Sequence, residues 1–162
     1  MATGKTTVGR RLAKRLARPF VDTDQLIEAE AGRTVAQIFA AEGEAGFRAR
    51  ERAVVAAACA TRDAVIAIGG GALNDPQSRD RLRAVGPLVC LEATPAEILR
   101  RVGDGTTRPL LGPATNRLQR IEELLAARAA TYRLADHRID TTGLSLDEVV
   151  ERVASLDQKS VV

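Results

Sequence analysis

Val65-Ile66-Ala67-Ile68 is a continuous apolar run that stops abruptly at Gly69-Gly70-Gly71. A strand with one face in water alternates apolar and polar residues. A strand with no polar position is buried on both faces, and such strands belong to parallel sheets covered by crossover helices. Pro19-Phe20-Val21-Asp22, Pro87 to Leu91 and His137 to Asp140 read as further short strands separated by helical stretches. That alternation predicts an α/β fold with a parallel sheet.

The helix signals are local. Helix is expected from Thr6 to about Ala17, ended before Pro19. Thr34-Val35-Ala36-Gln37 is a capping box opening a helix that stops at Gly43, and a second helix runs from Glu44 to about Ala60. Asn74-Asp75-Pro76 starts another. Thr94-Pro95-Ala96-Glu97 combines a capping box with Pro at the first helical position. Arg117 to about Tyr132 is helical, and Ser145-Leu146-Asp147-Glu148 caps a final amphipathic helix before a polar tail at about 157–162. The Gly, Thr, Pro and Asn content of residues 103–116 marks a loop longer than most, with the character of a lid.

Composition bounds the function. At 162 residues one domain is expected over the whole chain. The longest apolar stretch, Ala53 to Ala60, is far short of the ~18–20 residues of a membrane span, so no membrane association is expected. Charges interrupt the first fifteen residues, which is not a secretory pattern, and a cytoplasmic location follows. Cys59 and Cys90 have neither metal-site nor redox spacing and read as buried free thiols. A net charge of +3 permits an anionic partner, but an aromatic content of 2% leaves little for bases to stack on. A small anionic ligand fits, and nucleic acid does not.

Lysine is scarce against arginine, so the lysine in Gly4-Lys5-Thr6-Thr7 is informative. This is the second half of G-x-x-x-x-G-K-[ST], in which backbone N–H groups at a helix N-terminus cradle phosphates, the Lys reaches the β/γ-phosphates and the hydroxyl holds Mg²⁺. A P-loop is a turn between a strand and a helix, and the chain as given reaches neither the first glycine nor that strand. The expectation is that the sequence begins late, with roughly ten or more residues missing ahead of Met1.

Three further features carry chemistry. Asp22-Thr23-Asp24 sits at a strand end, where carboxylates two residues apart point to one side and could serve Mg²⁺ and a substrate hydroxyl; the structural alternative is a helix N-cap with a turn. Gly69-Gly70-Gly71 lets a ligand approach the backbone, or simply makes a sharp turn. Arg48 after Phe47, Arg108 before Pro109-Leu110-Leu111, and Arg128 are of the type that grips carboxylates and phosphates, although most arginines in so Arg-rich a chain serve the surface.

Taken in order, Gly4-Lys5-Thr6, Asp22-Thr23-Asp24, Phe47-Arg48 with Glu51, Gly69-Gly70-Gly71, Arg108-Pro109-Leu110-Leu111, and Arg128 followed by Tyr132 resemble the shikimate kinase family over essentially the whole chain. The resemblance implies a P-loop NTPase of nucleoside-monophosphate-kinase-like fold, with a five-stranded parallel sheet flanked by helices, its first strand missing from this chain. It implies transfer of the ATP γ-phosphate to the 3-hydroxyl of shikimate, with Mg²⁺ as cofactor, by a monomer. It gives Gly4, Lys5, Thr6 and Thr7 to the nucleotide, Thr6 and Asp22 to the metal, and Asp24 to the substrate hydroxyls as base. Arg48, Arg128 and Gly69, Gly70 and Gly71 fall to shikimate, Arg108 to the ATP phosphates, Arg101 to the adenine side, and Glu51 to orienting arginine. His137 has no motif and reads as structural. The alternatives are a kinase for another polyhydroxy acid such as gluconate, or a catalytically silent nucleotide-binding module.

Overall fold

The computed structural model describes residues 3–102 and 116–158. Residues 103–115 of the expected lid, Arg108 among them, and residues 159–162 of the expected tail lie outside the described residues. Two compact units are formed, Thr6–Leu88 and Met1–Lys5 with Val89–Val162. Among the described residues there are four strands in two parallel pairs, so the chain is α/β with parallel strands throughout.

In the unit Thr6–Leu88 the order is α1 (Lys5–Leu16, whose first residue falls just outside), β1 (Phe20–Asp22), α2 (Thr23–Ala31), α3 (Val35–Ala60), β2 (Val65–Ala67), a short 3-10 turn (Ala72–Asn74) and α4 (Pro76–Val85). β1 and β2 run parallel with Phe20 opposite Val65, Val21 opposite Ile66 and Asp22 opposite Ala67. This register sets the end of Asp22-Thr23-Asp24 beside the start of Gly69-Gly70-Gly71, because parallel strands that end together deliver their following residues to the same edge.

Thr34 accepts from the Gln37 amide and Gln37 reaches back to the Thr34 amide, so the expected capping box is complete. The two helices expected on either side of Gly43 are both present as the two halves of α3, with Gly43 non-helical between them at φ 68° and ψ −174°. Only glycine adopts that conformation without strain, which is why the helix interrupts at this residue and resumes at Glu44. Ile27 of α2 packs with Ile38, Phe47 and Val54 of α3, all buried. Each such aliphatic side chain contributes about 1.5–3 kcal/mol, so this cluster is what holds α2 and α3 together.

The other unit contains β3 (Val89–Glu92), α5 (Pro95–Val102), α6 (Arg117–Tyr132), β4 (His137–Asp140) and α7 (Leu146–Gln158). β3 pairs with β4 in parallel, Val89 opposite His137 through Glu92 opposite Asp140. Ile98 of α5 and Ile121 of α6 are fully buried together, with Leu124 and Leu125 packed against them. Ser145 and Glu148 cap α7 reciprocally, as their spacing predicts. At α5 the expected box is only half made: the Glu97 amide donates to Thr94 Oγ1 at 3.3 Å, but the Glu97 carboxylate is held by Arg100 and Arg101 instead. No helix among the described residues is long and apolar enough to cross a membrane.

Candidate active site

Gly4 has φ 88°, a left-handed turn that glycine alone enters freely, and α1 begins at the next residue, Lys5. The first turn of α1 carries no acidic residue, so the positive end of the helix dipole is not offset by a side chain of that turn. Thr6 follows, and its hydroxyl donates to Asp22 Oδ2 at 2.7 Å.

Asp22 is 5% exposed and fully engaged. Its Oδ1 accepts from the amides of Asp24 (3.1 Å) and Gln25 (3.3 Å), which makes it the N-cap of α2. The expectation that Asp22 and Asp24 point to one side of a strand end is therefore corrected: the backbone turns helical at Thr23, and the two carboxylates meet different neighbours. The N-cap alternative holds, and holds together with the contact to Thr6. A hydroxyl and a carboxylate this close form the hard oxygen pair that Mg²⁺ takes, and Thr6 keeps a lone pair for a cation while its proton goes to Asp22. No group of three or more His, Cys, Asp or Glu side chains among the described residues could hold a metal by itself.

Asp24 faces the glycine turn. A Cβ added at Gly69 would stand 2.8 Å from Asp24 Oδ1 and 2.9 Å from Glu51 Oε1, so two carboxylates converge on a residue that has no room for a side chain. A Cβ at Gly71 would stand 2.8 Å from Nη2 of Arg48. Arg48 is tied to Glu51, which is 3% exposed, by a 2.6 Å contact from Nη1 to Oε2, and more loosely to Glu44 at 3.3 Å. Partial burial works against the Arg48 charge, but Glu51 and then Glu44 outweigh it and hold the guanidinium above its ordinary pKa. The same guanidinium lies 5.4 Å from the centre of the Phe47 ring, which stacks on Phe39 at 4.5 Å. Asp24, Arg48, Glu51, Gly69 and Gly71 are thus brought together, a basic fork and two acids around a bare backbone turn. Gly70 is exposed at its apex.

In the other unit Arg101 is closely held. It donates through Nη1 to Thr141 Oγ1 (2.9 Å), through Nη2 to the Thr141 carbonyl (2.7 Å) and through Nε to Glu97 (2.7 Å). Thr141, 1% exposed, is itself bonded to the Glu92 carbonyl through both its amide and its hydroxyl. Bonding to Arg100, with Arg101 adding to it, brings the Glu97 pKa down to about 2. Arg128 is half-buried on α6, and His137 is exposed on β4. Cys59 and Cys90 are free as expected but half-buried rather than buried, and burial pushes both thiols up, away from reactive thiolate character. Sequence reasoning offered the start of α2 only as an alternative and gave the helix no bounds, and it missed the Glu97–Arg101–Thr141 network and the hydroxyl of Thr23, for which the strand-end position between two acids was the one available signal.

Parallel strands feeding helices and a Gly-Lys-Thr helix start whose threonine hydroxyl bonds a carboxylate are the features of a P-loop phosphotransferase. The shikimate kinase family model matches residues 1–157. A shikimate kinase from Symbiobacterium thermophilum is 51% identical over 155 residues, 94% of this chain and 89% of that protein. The structure of shikimate kinase from Acinetobacter baumannii in complex with shikimate aligns over 100% of this chain and 90% of that one, with a TM-score of 0.88 and 36% identity. The Bacteroides thetaiotaomicron shikimate kinase aligns over 98% and 94%, at 0.87 and 29%. The chain belongs to the shikimate kinase family, ATP-dependent phosphotransferases that act on an alcohol group.

Proposed function

We propose that the chain transfers the γ-phosphoryl group of ATP to the 3-hydroxyl of shikimate, giving ADP and shikimate 3-phosphate, as a monomer in the cytoplasm. The observation that carries the acceptor assignment is the placement of Asp24 and Arg48 against Gly69 and Gly71. A substrate with hydroxyls and one carboxylate needs both an acceptor of a hydroxyl proton and a planar cation, and both stand at one bare turn. Gluconate would satisfy the same chemistry, but the family match favours shikimate.

Residue by residue, Gly4, Lys5, Thr6 and Thr7 bind the nucleotide phosphates, with the Lys5 ammonium neutralising charge that builds during transfer. Asp24 accepts the proton of the attacking hydroxyl while its neighbours fix the sugar-like ring. Arg48, oriented by Glu51, holds the substrate carboxylate, a role the resemblance also gives Arg128, and the backbone of Gly69, Gly70 and Gly71 approaches the ring, with no room for a side chain at Gly69 or Gly71. Arg108 serves the phosphates on the resemblance alone. With its edge donors engaged by Thr141 and Glu97, Arg101 offers the nucleotide base a flat fixed face rather than free N–H groups. Thr6 and Asp22 would hold Mg²⁺, which when bound offsets the negative charge of the phosphates.

Identification of the product tests the assignment. ³¹P–¹H coupling in the product of an ATP and shikimate reaction should show one phosphate, on the 3-oxygen. Phosphate on another oxygen would displace the proposed position of Asp24 relative to the ring.

A further inference from the structure

We infer that the Thr23 hydroxyl is a positioning group for the acceptor side of the site, an inference that rests on the proposed function above. Thr23 is fully buried, at 0% exposure, between the two acids of its motif. Its hydroxyl donates to the Ala67 carbonyl at 3.3 Å and accepts from the Gly69 amide at 3.2 Å. Asp22 opposite Ala67 is the last rung of the β1–β2 ladder, so these two bonds form a further rung made by a side chain, just where the strands separate.

What that rung holds is the glycine turn. The Gly69 carbonyl accepts from the Ala72 amide and the Gly71 carbonyl from the Asn74 amide, so the turn is internally rigid from Gly69 into the 3-10 segment. The bond from the Gly69 amide to the Thr23 hydroxyl ties this turn to the first residue of α2. Gly69 is where Asp24 and Glu51 converge, and Gly71 is where Arg48 rests. A side chain that touches neither reactant therefore sets the spacing between the proton acceptor and the carboxylate-binding arginine. Valine at this position keeps the shape but removes both bonds and leaves the Gly69 amide without its partner.

Three measurements test this. In the unmodified protein, the Gly69 amide should exchange with solvent as slowly as the amides of the β1–β2 ladder; exchange at the rate of an open loop would overturn the inference. Thr23→Val should raise the KM for shikimate about tenfold, the scale of one unmade buried hydrogen bond, with the KM for ATP unchanged. Thr23→Ser, which keeps the hydroxyl, should stay within about twofold of the parent for both substrates. Equal loss for both substrates in Thr23→Val, or a Thr23→Ser variant as impaired as the valine, would reduce Thr23 to general packing and overturn the inference. If the parent chain does not phosphorylate shikimate, the proposed function fails instead, and the Gly69 exchange rate still decides whether the rung exists.

Discussion

The Thr6 hydroxyl donates to Asp22 at 2.7 Å, and the other oxygen of that carboxylate caps α2. One side chain thereby joins the start of α1 to the helix that carries Asp24. Asp22→Asn keeps an oxygen for the cap and loses the charge. It should change stability little, by about 1 kcal/mol or less, while raising the Mg²⁺ concentration needed for half-maximal activity. A Mg²⁺ titration of both proteins checks this, and an unchanged curve would confine Asp22 to capping.

Asp24→Asn should lower kcat by about 10²–10⁴-fold, the range for removal of a general base, with nucleotide affinity unaltered. Steady-state kinetics combined with calorimetric titration of an ATP analogue separates the two. Retained kcat would remove Asp24 from the chemistry.

Gly69→Ala places a methyl group where Asp24 and Glu51 already converge, with contacts of 2.8 and 2.9 Å. Both carboxylates must shift, so the KM for shikimate should rise and kcat fall together, while Gly70→Ala at the exposed apex has the milder effect. Equal kinetics for the two variants would contradict the reading of the turn.

Glu51→Gln weakens the 2.6 Å contact to Arg48 and leaves a cation with looser support from Glu44. The expected result is a higher KM for shikimate and a loss of about 1–2 kcal/mol in urea unfolding. A variant with the parent KM would show that Arg48 holds its orientation without Glu51.

Glu97 gives a pH prediction. Its folded pKa of about 2 lies below the ordinary 4.5, so its contribution to stability is complete above 4.5 and is lost as pH falls toward 2. Acid unfolding of the parent should therefore steepen through that window, and Glu97→Gln should flatten it. Identical acid profiles would remove the Glu97–Arg100–Arg101 cluster as a source of stability.

The parallel α/β class was legible because Val65 to Ile68 is apolar without alternation, and the helix starts because Thr34, Asp75 and Ser145 cap through bonds that span three residues. Arg48, Glu51 and the glycine turn were legible as a motif. What the chain concealed depended on distant partners. α2 hid behind an acidic tripeptide that reads equally as a strand end, and only the packing of Ile27 on Ile38 and Phe47 settles it as helix. The Glu97 carboxylate has the spacing of a cap but finds two arginines on its own helix. Arg101 looks like any surface arginine until β4 brings Thr141 to it, forty residues away in sequence.

The most direct test is ADP release by the purified chain with Mg²⁺-ATP and either shikimate or gluconate as acceptor. Turnover that requires shikimate and is absent with gluconate is predicted. Turnover with gluconate alone, or ATP hydrolysis at the same rate whether or not shikimate is present, would contradict the assignment of Asp24 and Arg48 to a shikimate site.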